Sequence, residues 1–175
     1  MLYSLLPATG YGLAGLKTLL LAPWSGAATY AYATAECSHL VSFSGLSGWQ
    51  QLPCQPPAAC EFGEAYALTE QGPAHAQAVN VALAGLSAAQ RTAVQALATA
   101  GPLVALCQDY AGQWWLYGQT QGLRLLAAAA RGGVFGGESG RTLALTGAQR
   151  EAARTVAQSR INLLFNAATA FTYPT

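Results

Sequence analysis

The sequence predicts a mainly β, antiparallel domain with one flanking α-helix. Three observations carry this. Short runs rich in Leu, Val, Trp and Tyr alternate with Gly, Pro and Asp turn chemistry through most of the 175 residues. Only one stretch, Ser87–Ala100, carries helical caps and helical composition together. The hydrophobic fraction is 53% and the charged fraction 9%, against roughly 25% charged residues in a typical soluble domain. The chain is therefore no disordered segment, and its length is that of one domain, residues 1–175, with a sizeable core.

The first fifteen residues are apolar and punctuated by Gly, and are expected to be an arm. Leu16–Trp24 reads as the first strand. Lys17, the apolar run after it and Ala33-Thr34-Ala35 imitate a secretory signal, but no basic residue precedes Lys17, and Pro23, Trp24 and Gly26 interrupt the run. Ser25–Ala35 alternates Tyr30 and Tyr32 with alanine, as a loop or weak strand. Leu40–Leu46 is a short strand, and Ser47–Ala59, with Pro53, Pro56 and Pro57, a loop.

Cys60–Glu70 is the cleanest alternation. Cys60, Phe62, Glu64, Tyr66 and Leu68 share one face, and Glu61, Gly63, Ala65, Ala67 and Thr69 the other. A turn at Gln71-Gly72-Pro73 leads to His75–Leu83, which completes a hairpin. In the helix 87–100, Ser87 and Gln90 form a capping-box pattern, Val94, Leu97 and Ala98 form an apolar stripe, and Gly101-Pro102 ends it.

Leu103–Gln108 and Trp114–Gly118 flank Asp109-Tyr110-Ala111-Gly112, a second hairpin. Leu123–Ala130 and Arg141–Thr146 extend it into an expected meander, joined by a Gly-rich loop. Ala148–Ser159 is a weaker second helix, and the alternation of Ile161, Leu163 and Phe165 predicts a last strand or extended tail in Arg160–Tyr173.

No signal of catalysis stands out. The Gly-rich segment 131–140 precedes a strand and lacks a GK[ST] sequence, so it reads as a hairpin tip and a contact for a neighbouring subunit rather than a phosphate cradle. Trp114 and Trp115 are adjacent in a strand and so face opposite ways, one to the core and one to an interface. On these grounds Trp114, Trp115, Tyr117, Arg131, Gly133, Phe135 and Gly137 are the expected subunit contacts. Glu61 and Glu64 fall on opposite faces, which argues against paired-carboxylate chemistry. No G-x-S-x-G occurs. His39 and His75 have no zinc-type partners, and Cys37, Cys54, Cys60 and Cys107 form no CxxC. They read as reduced thiols, with a Cys54–Cys60 bridge the alternative in an oxidising compartment. The eight basic residues are scattered singly, so nucleic-acid binding by charge is not expected. No run approaches the roughly 18 apolar residues of a spanning helix, and a few stretches only weakly permit the alternation of an outer-membrane barrel. So few charges cannot coat a lone globule, and the expectation is a homo-oligomer in which copies cover one another. No catalytic residue, cofactor or metal is expected.

The order of segments resembles a group of small phage and prophage structural proteins from Bacteroidetes-type bacteria that look like tail tube proteins. The residues that carry it are Asp109, Gly112, Trp115, Leu116, Gly118, Gly122, Leu123, Leu145, Thr146 and Gly147, within Leu16–Val156. The chain departs from that pattern in its alanine content, its low charge and the extension 157–175. The resemblance implies a β-sandwich or barrel of tail-tube type in hexameric rings that stack into a conduit. Its partners would be itself, other tail proteins including the tape measure, and phage DNA passing without sequence-specific contact. Its place would be the virion tail, assembled in the host cytoplasm. A tail terminator, head–tail joining or capsid decoration protein is the nearest alternative, and a secreted or envelope binding module the alternative of another class.

Overall fold

A computed structural model describes residues 15–33, 39–52, 60–69, 72–84, 92, 95–97, 99–131 and 140–167. Eleven strands are present in this part: β1 (Leu16–Pro23), β2 (Thr29–Tyr32), β3 (His39–Ser44), β4 (Gln50–Leu52), β5 (Glu61–Thr69), β6 (Gly72–Ala84), β7 (Leu103–Asp109), β8 (Trp114–Tyr117), β9 (Arg124–Arg131), β10 (Gly140–Gln149) and β11 (Arg154–Val156). Helix α1 (Gln158–Ala167) follows. The strands form a seven-stranded sheet, β2-β3-β11-β8-β7-β1-β4, and a four-stranded sheet, β5-β6-β10-β9. Every pairing is antiparallel except β11 with β3. The mainly β, antiparallel expectation holds, and neither sheet closes into a barrel.

The centre of the seven-stranded sheet is covered on both faces, which is why β1 and β7 are near-continuous apolar runs. Leu19 and Leu21 of β1, and Leu103, Ala105 and Cys107 of β7, share a core with Val79 and Val81 of β6 and Leu143 and Leu145 of β10. That core lies between the two sheets. The alternate residues Leu20, Val104 and Leu106 meet Leu40, Phe43, Trp114, Leu116, Val156 and Ile161 on the far face.

The far face corrects two expectations. Residues 148–157 are not helical: β10 runs on to Gln149, β11 follows, and the helix begins only at Gln158. Residues 160–167 are not a strand but the body of α1. Ile161 is fully buried and Leu164 half-buried, while Leu163 is 56% exposed. The buried pair is spaced i, i+3, and this helical spacing overrides the apparent alternation. Trp114 Nε1 donates to Gln158 Oε1 at 3.1 Å, and the Arg160 guanidinium lies 5.1 Å from the Phe43 ring centroid. The helix thus caps an aromatic surface.

Two further expectations shift. Gln50–Leu52, read as loop, adds β4 to the edge beside β1. The meander also does not continue past β8, because the chain changes sheets there. In the predicted helix 87–100, residues 92, 95–97 and 99 are helical and Leu97 is buried in the core between the sheets. Its proposed cap at Ser87 and Gln90 lies outside the described residues, as do Met1–Ala14.

The change of sheet is a tight crossover. Gly118 and Gly122 adopt φ of 78° and 72°. A Cβ on Gly118 would stand 2.7 Å from Leu103 O, and one on Gly122 2.5 Å from Pro102 Cβ. Gln149, only 2% exposed, holds this loop. Its Oε1 accepts from Thr120 N at 2.9 Å, Thr120 Oγ1 at 2.8 Å and Gln121 N at 3.1 Å, while its Nε2 donates to Gly122 O at 2.9 Å. Gln77 Oε1 accepts from Gly118 N at 2.9 Å.

Candidate functional site

Among the described residues, the outward face of the four-stranded sheet has no element packed on it. Its inward face packs Phe62, Val79, Val81, Leu143, Leu145 and Leu125 against the seven-stranded sheet. Its outward face follows from the alternation. Gly63, Ala65 and Ala67 of β5 are exposed, as is Ala76 of β6; Ala78 and Asn80, with Thr142, Ala144 and Thr146 of β10, are half-buried. The charged positions on this face are Glu61, Arg124 and, by register, Arg131; its other described side chains are small or uncharged.

The edges of the two sheets differ. The seven-stranded sheet ends in β2 and β4, of four and three residues. Short edges of that kind offer little to a pairing strand. The four-stranded sheet ends in β5 and β9, of nine and eight residues. Neither has a proline, and no described strand pairs with their outer sides. Among the described residues, the outer backbone N–H and C=O groups of β5 and β9 have no strand partner.

The end of the β5–β6 hairpin reaches beyond the core. Tyr66 and Leu68 share the face of Phe62, yet they are 64% and 78% exposed. Leu126, at the register shift between β9 and β10, is 69% exposed.

Glu64 ties the hairpin to the rest of the chain. Its Oε1 lies 2.9 Å from His75 Nδ1, and its Oε2 accepts from Gln77 Nε2 at 2.9 Å and Ala153 N at 2.6 Å. The Tyr66 and His75 rings pack at 5.3 Å. Glu64 and His75 alone resemble half of a catalytic triad, but no hydroxyl or thiol of the described residues bonds to His75, and both carboxylate oxygens already accept bonds. The arrangement fastens a hairpin. Glu61, on the opposite face, accepts from Asn80 Nδ2 at 2.9 Å.

The expected contact residues separate into groups. Trp114 and Tyr117 are 3% and 4% exposed, inside the chain's own cores. Trp115 is half-buried against the core between the sheets, and its Nε1 donates to Asp109 Oδ2 at 3.2 Å. Asp109 Oδ1 accepts from Gln113 N at 2.8 Å and closes the hairpin as its turn chemistry predicts. The two indoles face opposite ways, as the alternation requires: Trp114 is buried in the far-face core, and Trp115 packs in part against the core between the sheets. Burial raises the Tyr117 phenol far above its ordinary pKa, with Cys107 and Glu64 adding to the effect. Arg131 ends β9, while Gly133, Phe135 and Gly137 lie outside the described residues.

Cys60 and Cys107 are buried, and neither forms a disulfide among the described residues; Cys37 and Cys54 lie outside the described residues. Among the described residues no three His, Cys, Asp or Glu side chains are grouped to hold a metal ion, and no helix is long and apolar enough to cross a membrane. Comparison with family models, with curated proteins and with solved structures finds no match.

The sequence missed what makes the open sheet distinctive. Its charges looked scattered because the order of strands within a sheet is not written in any local motif.

Proposed function

We propose that this chain is a self-assembling structural subunit, non-enzymatic, whose four-stranded sheet is completed by other copies of the same chain. The observation that carries the reading is the contrast between the edges. Two long edge strands, unpaired on their outer sides among the described residues, stand on one sheet, and the apolar end of a hairpin projects beside one of them. Long exposed edges are what β-augmentation between chains uses. Covering Tyr66 and Leu68 in a neighbour's surface contributes about 1.5–3 kcal/mol per side chain. The low charge of the whole chain agrees, since interface cores are depleted of ionised groups.

Within that class we favour the tail-tube reading. Copies form closed rings, hexameric by the sequence resemblance, and the rings stack into a conduit. The sheet of small side chains suits a smooth wall past which DNA and a tape-measure protein slide. This is a virion role, with other tail proteins as neighbours. Electron microscopy of the purified protein, with light scattering across concentration, tests it. Rings or tubes are expected. A monomer that persists at high concentration overturns the reading.

A further inference from the structure

We infer that copies join head to tail, β9 of one against β5 of the next, and that Arg124 of the first pairs with Glu61 of the second. The inference rests on the self-assembly reading and specifies its contact.

Direction permits the join. The four strands alternate, β5-β6-β10-β9, each antiparallel to its neighbour. The number is even, so β9 set beside the next copy's β5 continues the alternation without a parallel step. A two-fold join of β5 with β5, or of β9 with β9, would also be antiparallel, so direction alone does not choose.

Charge chooses. β5 carries Glu61 and Glu64 and no base; β9 carries Arg124 and Arg131 and no acid. The chain has only eight basic and seven acidic residues. The two outermost described strands of one sheet therefore carry charge of opposite sign. A two-fold join sets like charges together, which costs stability across paired strands, and the head-to-tail join sets opposite charges together. A join of that kind is heterologous and closes into a ring or runs on as a filament.

The register names the pair. Glu64 is already bonded to three groups of its own chain. Glu61 is exposed on the outward face and, among the described residues, bonded to Asn80 Nδ2 alone. Arg124 is exposed too, and forms no ion pair among the described residues. Across the sheet Arg124 stands in the row of Thr146, Ala78 and Gly63. An unshifted join continues that row, so Arg124 meets the neighbour's Gly63 and stands diagonal to Glu61, on the same face. A shift of two residues sets Arg124 and Glu61 directly opposite. Both geometries are within reach of these long side chains.

Charge reversal tests the pairing. E61R, R124E, the double variant E61R/R124E and an equal mixture of the two single variants are compared with the unaltered chain by sedimentation at fixed salt. Circular dichroism of dispersed subunits checks folding. Each single reversal is expected to raise the concentration needed for assembly about fivefold or more. The double variant and the mixture are expected to return it to within about twofold of the unaltered chain. An unaltered chain that assembles while both single reversals assemble equally well overturns the head-to-tail pairing and leaves the structural role standing. The same holds for single reversals that fail with no recovery in the double variant or the mixture. An unaltered chain that stays monomeric overturns both.

Discussion

Gln149→Ala should be among the most damaging single changes outside the apolar core. The side chain is 2% exposed and makes four hydrogen bonds to the crossover between the sheets. Thr120 is half-buried and Gln121 exposed, so water replaces their lost partner at a net cost of about 0.5–1.5 kcal/mol per bond. Gly122 is buried, and its orphaned carbonyl costs about 1–3 kcal/mol. The freed rotamers of a Gln return up to about 2 kcal/mol. The balance is a loss of about 3 kcal/mol. With a urea slope of about 2 kcal/mol/M, the unfolding midpoint falls by about 1.5 M. Urea unfolding at one protein concentration, followed by tryptophan fluorescence, reads this directly. Gln95→Ala, on the exposed side of the helical residues, is the control and should stay within about 0.5 kcal/mol. A midpoint shift for Gln149→Ala below about 0.3 M at unchanged slope would show that Gln149 does not hold the crossover.

Three more outcomes follow from the same geometry. Gly122→Ala places a methyl against Pro102 Cβ at 2.5 Å with φ at 72°, and should lower stability by about 2 kcal/mol or more, read as a fall in melting temperature. Ile161→Ala removes the one fully buried side chain described in α1 and should cost about 2–5 kcal/mol; hydrogen exchange should show α1 losing protection, and an unchanged α1 would mean the helix is not anchored there. The Tyr30 phenol is pushed from 10.0 up to about 12, chiefly by burial and then by neighbouring Tyr32. The fold thus favours the neutral phenol. Its contribution is fully present below pH 10 and is lost as pH rises through about 12. Urea midpoints should fall across that window, and Tyr30→Phe should flatten the fall; its hydroxyl has no hydrogen-bond partner among the described residues, so the variant costs little at neutral pH.

Much of the fold was legible because the causes were local. β1, the β5–β6 hairpin and the β7–β8 hairpin follow from period-two alternation and from Asp109 and Gly112 in the turn. Glu61 and Glu64 part to opposite faces as the alternation requires. The far end of the chain was misread for the opposite reason. Ile161, Leu163 and Phe165 alternate in sequence, but the apolar surface over Phe43, Trp114 and Leu116 exists only after β3, β8 and β11 assemble. A helix presenting Ile161 and Leu164 covers it, and an extended strand would not. Which of Trp114 and Trp115 faces the core was not legible, because the partner that seats the Trp114 indole, Gln158, lies 44 residues away in sequence.

The candidate site divides the same way. The sequence by itself determined which residues alternate, that ionised groups are scarce, and that β5 carries two acids and β9 two bases. Only the tertiary structure decided that these two strands end the same sheet. The physical reason is that a strand's edge position depends on which other strands its hydrogen-bonding groups find. That choice rests on the crossover at Gly118–Gly122 and on burial between two sheets, which no short window of sequence contains.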